Sequence, residues 1–277
     1  MIDKEIQESK VAAYYNSSTP RFLRTKQKKL AGAIHRRLIP PPEAVETDPS
    51  HYSESLILDI IRGCGARRVL DLGCGVGGTI RYLKSHYQAD YTGISLSRVQ
   101  CEIAESLDTP VELGSYLDPR WYENREPFGV VYALESLQHC PDHSQLARNL
   151  KQIMKPGALL VVVDDFISYE PLNRRQTRLL KRFRKHWHSP GCISETDFIE
   201  IYSRGGLTPV QNIHLTPLMA KPLLNRYLRA LGLNLLSLYP ARNSVMDNII
   251  GGGTLRLLQQ MGVMKYSLLV FRAEPNV

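Results

Sequence analysis

Val69-Leu70-Asp71-Leu72-Gly73-Cys74-Gly75-Val76-Gly77-Gly78 decides how this chain is read. A short apolar run, too short for a helix, ends in closely spaced glycines. Glycine has no Cβ, so the chain can turn tightly there and bring its backbone against a ligand. The pattern from Gly78 to Ser85 then becomes helical, so the stretch reads as strand, turn, helix. Upstream, Leu56, Ile57, Ile60 and Ile61 share one helix face. Downstream, Asp90 to Ile94 is a second strand, and Ser97 is the N-cap of a helix through Glu105. Strands follow at Val111 to Leu113 and Phe128 to Leu134, then a helix from Pro141-Asp142-His143-Ser144 to Met154. Lys155-Pro156-Gly157 predicts a turn, and Ala158 to Val163 a fully apolar fifth strand. Such alternation predicts an α/β fold with a parallel, doubly wound sheet and right-handed crossovers.

Beyond residue 165 the alternation stops. The pattern predicts a basic helix at 171–187, another at 194–204, a sixth strand at Val210 to His214 and a last strand at Tyr266 to Phe271. Leu218 to Leu238 is dense in leucine, and Gly251-Gly252-Gly253 reads as a loop. We therefore expect residues 1–50 to form an N-terminal helical extension or lid, ending near Pro40-Pro41-Pro42. Residues 51–277 then form one domain, with insertions at about 165–205 and 215–262 capping the sheet edge where ligands bind in open α/β folds.

Of 277 residues, 43% are apolar, enough for a core and against disorder. No run approaches the roughly 20 apolar residues of a membrane span. The first residues, Met1-Ile2-Asp3-Lys4-Glu5, are polar and give no sign of a signal peptide. Five scattered cysteines without CxxC spacing imply free thiols in a reducing compartment, so a cytoplasmic location is expected. The net charge of +8 is concentrated in two runs, Arg174, Arg175, Arg178, Lys181, Arg182, Arg184, Lys185 and Arg21, Arg24, Lys26, Lys28, Lys29, Arg36, Arg37. Such runs attract anions, or simply face solvent. Leu172, Leu179, Leu180, Phe183 and Trp187 interleave the first run, which would suit peripheral membrane contact.

Gly73, Gly75 and Gly78 also spell GxGxxG, a weak dinucleotide signal on its own. Gly73, Gly75 and Gly77 resemble the GxGxG loop of class I methyltransferases, and Asp71, two residues earlier, stands where a carboxylate can face the amino group of S-adenosylmethionine (SAM). Most such enzymes carry an acid for the ribose where this chain has Ser95. Gly93, Ser97 and Gln100 instead resemble the GxxxSxxQ pattern of the sterol, γ-tocopherol and cyclopropane fatty acid methyltransferase group. The likeness covers about residues 65–165. It implies a Rossmann-like, seven-stranded, mostly parallel sheet with SAM as cofactor. It also places Gly114-Ser115-Tyr116-Leu117 beside the adenine and makes Tyr132 to His139 the fourth strand with its loop. Tyr14-Tyr15-Asn16 resembles the element that closes over SAM. The implied cofactor residues are Asp71, Gly73, Cys74, Gly75, Gly77, Ser95, Leu96, Gln100, Ser115, Tyr116 and Leu134.

A sulfonium methyl donor is already reactive, so such a protein mainly aligns the acceptor and excludes water. A base is needed only where the acceptor loses a proton. Glu135 and His139 follow the fourth strand and, with Tyr15, are the candidate catalytic residues; each of the two also has a plain structural reading. Tyr14, Tyr15 and Tyr132 are candidates for cation–π contact. Asp164-Asp165 lacks a third ligand, so no metal site is expected there, and the pair reads as a helix cap or a partner for the basic helix. The reading is methyl transfer to carbon or oxygen of a small apolar or amphiphilic acceptor, an isoprenoid, lipid or natural product that can be anionic. No nucleic acid is expected, and membrane contact and a homodimer stay open. An RNA methyltransferase, suggested by the sequence pI of 9.2, and a non-methylating cyclase or scaffold are the alternatives.

Overall fold

The computed structural model describes residues 4–25, 35–168, 171–219, 232 and 244–275. Seven strands form one sheet in the order β3-β2-β1-β4-β5-β7-β6. They are β1 (Arg68–Leu72), β2 (Asp90–Ser95), β3 (Val111–Leu113), β4 (Phe128–Leu134), β5 (Met154–Ile167), β6 (Leu207–His214) and β7 (Met264–Ala273). All neighbours are parallel except β7, which runs antiparallel to both β5 and β6. Val69, Leu70, Asp71 and Leu72 are all buried, because helices cover both faces of the sheet.

The pleat sorts alternate residues onto two cores. Val131, Ala133, Leu160 and Val162 pack with Leu146 and Leu150 of α5 (His143–Ile153) and Phe198 and Tyr202 of α7 (Glu195–Arg204). Val130, Tyr132 and Val161 pack on the other side with Ile57 and Ile61 of α2 (Tyr52–Gly63) and Ile80 and Leu83 of α3 (Gly78–His86). The strand order reverses between β1 and β4, and the crevice at their C-terminal ends is where ligands bind in such sheets.

Three further helices bound that crevice: α1 (Lys4–Thr25), α4 (Arg98–Glu105) and α8 (Ser244–Gln260). A fourth, α6 (Arg174–His186), buries Leu180 and Phe183 against Leu255 and Leu258 of α8. Leu172, Leu179 and Trp187 pack on the same cluster. The apolar residues among the α6 cations thus face inward, and only Arg174, Arg175, Arg178, Lys181 and Lys185 are exposed.

Three local expectations change. Gly251, Gly252 and Gly253 lie inside α8 rather than in a loop. β5 is longer than its apolar core and holds Asp164 and Asp165, paired with Ser267 and Tyr266 of β7. The expected turn at Lys155-Pro156-Gly157 is an irregular start to that strand, with Gly157 at φ 81° and a register shift against β4 between Phe128 and Val130. Most of the leucine-rich segment lies outside the described residues. Among the described residues, no helix is long and apolar enough to cross a membrane.

Candidate active site

A cavity of about 570 Å³ opens at the β1–β4 reversal, and its walls come from α1, residues 35–36, the turn after β1, the ends of β2 and β4, and α8. The turn after β1 forms one part of that wall. Gly73, Gly75 and Gly77 have φ of 72°, 58° and 72°, a region that other residues rarely adopt. The three serve different purposes. A Cβ on Gly73 would stand 2.7 Å from Ser136 Cβ, and one on Gly77 would stand 2.4 Å from Thr109 Cγ2. Those two let neighbouring chain close in. A Cβ on Gly75 would meet only Gln100 Nε2, at 3.8 Å, so this glycine leaves bare backbone facing the cavity. Cys74 also lines it, and its small side chain packs on the equally bare Gly93, whose Cβ would lie 2.5 Å from the sulfur.

Beside the turn, the Ser95 hydroxyl donates to Gln100 Oε1 at 2.8 Å and accepts from the Ser97 backbone N–H at 3.1 Å. Ser97 caps α4 by accepting from Gln100 N, and Asn16 of α1 accepts from the Ser97 hydroxyl at 2.6 Å. Ser95, Leu96, Gln100, Tyr116 and Leu134 all line the cavity.

Of the expected cofactor residues, Asp71, Gly77 and Ser115 are not in its wall. The Asp71 carboxylate lies beneath the turn and accepts from the Tyr132 hydroxyl at 2.8 Å. Burial pushes its pKa up to about 7, although that hydrogen bond works the other way. Tyr132 is fully buried by the same contact, so it offers no ring face to a ligand. The Ser115 hydroxyl is turned to Glu8 of α1.

Another part of the wall carries titratable groups. Glu135, His139 and Tyr15 all line the cavity. Glu135 holds φ 56°, an uncommon conformation for a side chain of this size. Its Oε1 accepts from the Arg36 backbone N–H at 3.0 Å and from the Tyr266 hydroxyl at 2.8 Å, while Oε2 accepts no hydrogen bond from the described residues.

His139 Nδ1 lies 2.9 Å from the His188 carbonyl. A carbonyl only accepts, so Nδ1 carries the proton and Nε2 presents its lone pair. The Tyr15 hydroxyl donates to that Nε2 at 2.9 Å. Burial lowers the His139 pKa to about 4, so the ring is neutral near pH 7. Tyr14 meets Tyr15 edge-on at 5.1 Å, and together they form an aromatic wall on α1.

Asp165 pairs with Arg36, not with the basic helix. The guanidinium reaches both carboxylate oxygens, and Gln259 Nε2 donates to Asp165 Oδ1 at 3.0 Å. Burial opposes the charge on Arg36, but Asp165 and Glu135 beside it outweigh burial and hold the guanidinium protonated. The Arg36 guanidinium also lies 4.5 Å over the Tyr266 ring. Asp164 accepts from the Gln138 and Asp165 backbone N–H groups, and burial beside Asp165 raises its pKa to about 8. Among the described residues, no group of three or more His, Cys, Asp or Glu side chains has a metal-binding arrangement.

Arg36 and Tyr266 were missed in the sequence because only the fold brings them to Glu135. Asn248, Gly252, Leu255, Arg256 and Gln259, on one face of α8, also line the cavity. Their helical spacing was visible in the sequence but hidden by the loop reading of the glycine run.

A search of curated proteins finds a probable chloroplastic tocopherol O-methyltransferase from Oryza sativa, 31% identical over 148 residues, which are 49% of this chain and 40% of that protein. It also finds 24-methylenesterol C-methyltransferase 3 from Arabidopsis thaliana, 27% identical over 67% of this chain and 54% of that protein. The chain spans about half the length of these relatives. Among solved structures, the cyclopropane synthase MmaA2 from Mycobacterium tuberculosis superposes with a TM-score of 0.71 at 17% identity, covering 96% of this chain and 98% of that one. Geranyl diphosphate C-methyltransferase from Streptomyces coelicolor A3(2), solved with Mg²⁺, geranyl diphosphate and S-adenosyl-L-homocysteine, superposes with a TM-score of 0.64 at 14% identity, covering 96% and 98%. These structural likenesses establish the fold alone, the class I methyltransferase fold. A methyltransferase domain model matches residues 15–238. On the sheet order, the turn after β1 and that match, the chain belongs to the methyltransferase domain family.

Proposed function

We propose that this protein transfers a methyl group from SAM to carbon or oxygen of a small apolar or amphiphilic acceptor. The observation that carries the reading is one cavity whose wall holds both a nucleotide-type glycine turn and Glu135 with the Tyr15–His139 pair. The residues fit SAM. Gly75 leaves bare backbone for the methionine part, Ser95 and Gln100 offer polar groups to the ribose, and Leu96 and Tyr116 offer apolar surface to the adenine. When bound, SAM supplies an electrophilic methyl group; the chain's own residues align the acceptor and exclude water.

Two proton acceptors suit two acceptor types. For an alkene acceptor, Glu135 Oε2, with Oε1 held by Arg36 and Tyr266, takes a proton from carbon as the double bond re-forms. For a hydroxyl acceptor, the proton passes to Tyr15 oxygen while the Tyr15 proton moves to His139 Nε2. The names of the relatives, tocopherol O-methyltransferase and sterol C-methyltransferase, support both acceptor types.

The decisive experiment supplies labelled SAM with a prenylated hydroquinone and, separately, an unsaturated sterol. Label in either organic product supports the reading. Calorimetry showing no SAM binding, or SAM binding with no labelled product from cell extracts, would falsify it; the second result favours the cyclase or scaffold alternative. The exposed α6 cations support contact with an anionic membrane, and flotation with anionic vesicles tests it. RNA is disfavoured because the exposed α6 face carries no aromatic platform; a salt-dependent gel shift would reverse that. A cytoplasmic location and a homodimer belong to the same proposal, tested by cell fractionation and light scattering.

A further inference from the structure

The cavity wall carries two guanidiniums, those of Arg36 and Arg256, and one carboxylate, that of Glu135. Arg36 is committed to the fold: it reaches both oxygens of Asp165 and lies beside Glu135. Arg256 stands three residues before Gln259 on the cavity face of α8. Its Nη1 donates to Gln259 Oε1 at 3.4 Å and to Met219 Sδ at 3.9 Å, both neutral acceptors. Gln259 turns its Nε2 the other way, to Asp165 Oδ1 at 3.0 Å. A run of polar contacts, Glu135–Arg36–Asp165–Gln259–Arg256, therefore crosses this part of the wall, with Arg256 at its end. Met219, Leu255 and Gly252 beside Arg256 give apolar wall.

A guanidinium offers five N–H donors in a planar fork that matches a carboxylate. Arg256 is half-buried, so its field is less screened than at the surface. The same wall opposes a multiply charged group. Glu135 and Asp165 repel added negative charge, Arg36 is already held by them, and the wall has no third Lys or Arg among the described residues.

We propose that Arg256 anchors a carboxylate on the acceptor, making the substrate an amphiphilic monoacid. Its apolar body lies along Met219 and Leu255, and its reacting atom lies at Glu135 and Tyr15. Calling this ligand the acceptor rests on the methyl-transfer reading; the binding test does not.

The probes are octanoate, methyl octanoate and octyl phosphate, which share one apolar body and differ at the head. Equilibrium dialysis at pH 8 uses protein saturated with S-adenosylhomocysteine. Octanoate should bind at least tenfold more tightly than the ester, and more tightly than the phosphate. Arg256→Gln should bring acid and ester within twofold of each other. Arg256→Lys keeps the charge but loses the fork, and should cut the preference at least threefold. Unchanged S-adenosylhomocysteine affinity verifies the folding of each variant. If Arg256→Gln fails that check, Arg256→Lys carries the test.

An ester bound as tightly as the acid, a phosphate bound more tightly, or an undiminished acid preference in the folded variant overturns the anchor. So does label from SAM recovered as a methyl ester of octanoate, because the carboxylate would then be the reacting group. An acid preference that depends on Arg256, in a protein that labels nothing in a cell extract, upholds the anchor and sinks the methylation reading instead.

Discussion

Two parts of the cavity wall are built by different means. The nucleotide part comes mostly from one continuous stretch of chain, residues 73–100, joined by Tyr116, and works largely through backbone conformation: positive φ at three glycines and a serine cap on α4. The other part is assembled from separated pieces: Tyr15, Arg36, Glu135, His139, Trp187, Gly252, Gln259 and, just behind the wall, Tyr266. It works through side-chain charge and shape. Local sequence is enough to write the first kind of site. The second exists only after the sheet has closed.

That contrast can be broken at several points. The largest effect is expected from Glu135→Gln, which keeps the shape and removes the base. Transfer to an alkene acceptor should fall by about 10²–10³-fold, with SAM affinity unchanged by calorimetry; weaker SAM binding would give Glu135 a part in holding the nucleotide. Gly75→Val is the reverse experiment. A β-branched side chain at φ 58° that also projects into the cavity should weaken SAM binding by about 100-fold, roughly 2.7 kcal/mol, without reaching the Tyr15–His139 pair.

Arg36→Ala leaves Asp165 buried without its cation and should destabilise the fold by about 3 kcal/mol. Urea unfolding measures this, and Arg36→Lys should recover only part, because an ammonium cannot serve both oxygens. A gentler probe is pH. The His139 pKa is depressed to about 4, so its neutral, proton-accepting form is already complete at pH 6. Transfer to a hydroxyl acceptor should stay level from pH 8 to 6 and fall only on approach to pH 4. A fall centred near 6.5, where an ordinary histidine titrates, would contradict the depression that burial imposes on His139. The smallest effect is at Arg178→Glu on the exposed face of α6, which should leave thermal stability unchanged and weaken binding to anionic vesicles about fivefold per cation lost.

The alternation of strands and helices through residue 163 was legible because each parallel strand is a short apolar run bounded by turn residues. The glycine turn was legible for the same local reason. Three placements that local sequence does not settle share one physical cause. Asp71 carries the right residue type at the right spacing, but whether its carboxylate meets the cavity or Tyr132 depends on β4, sixty residues away. Asp165 has an obvious cationic neighbour in sequence, α6, yet pairs with Arg36, which reaches β5 from the N-terminal segment. Gly251 and Gly252 look like a helix breaker because the tryptophan packed on them stands just past the end of another helix, α6. In each case the deciding contact is nonlocal.

α1 touches both parts of the cavity wall at once. Its Asn16 holds the cap of α4 on the nucleotide side, and its Tyr15 holds His139 on the other. One helix shared by two neighbouring ligands makes their occupancies thermodynamically reciprocal: any strengthening that one ligand confers on the seating of this helix is returned in equal measure to the other.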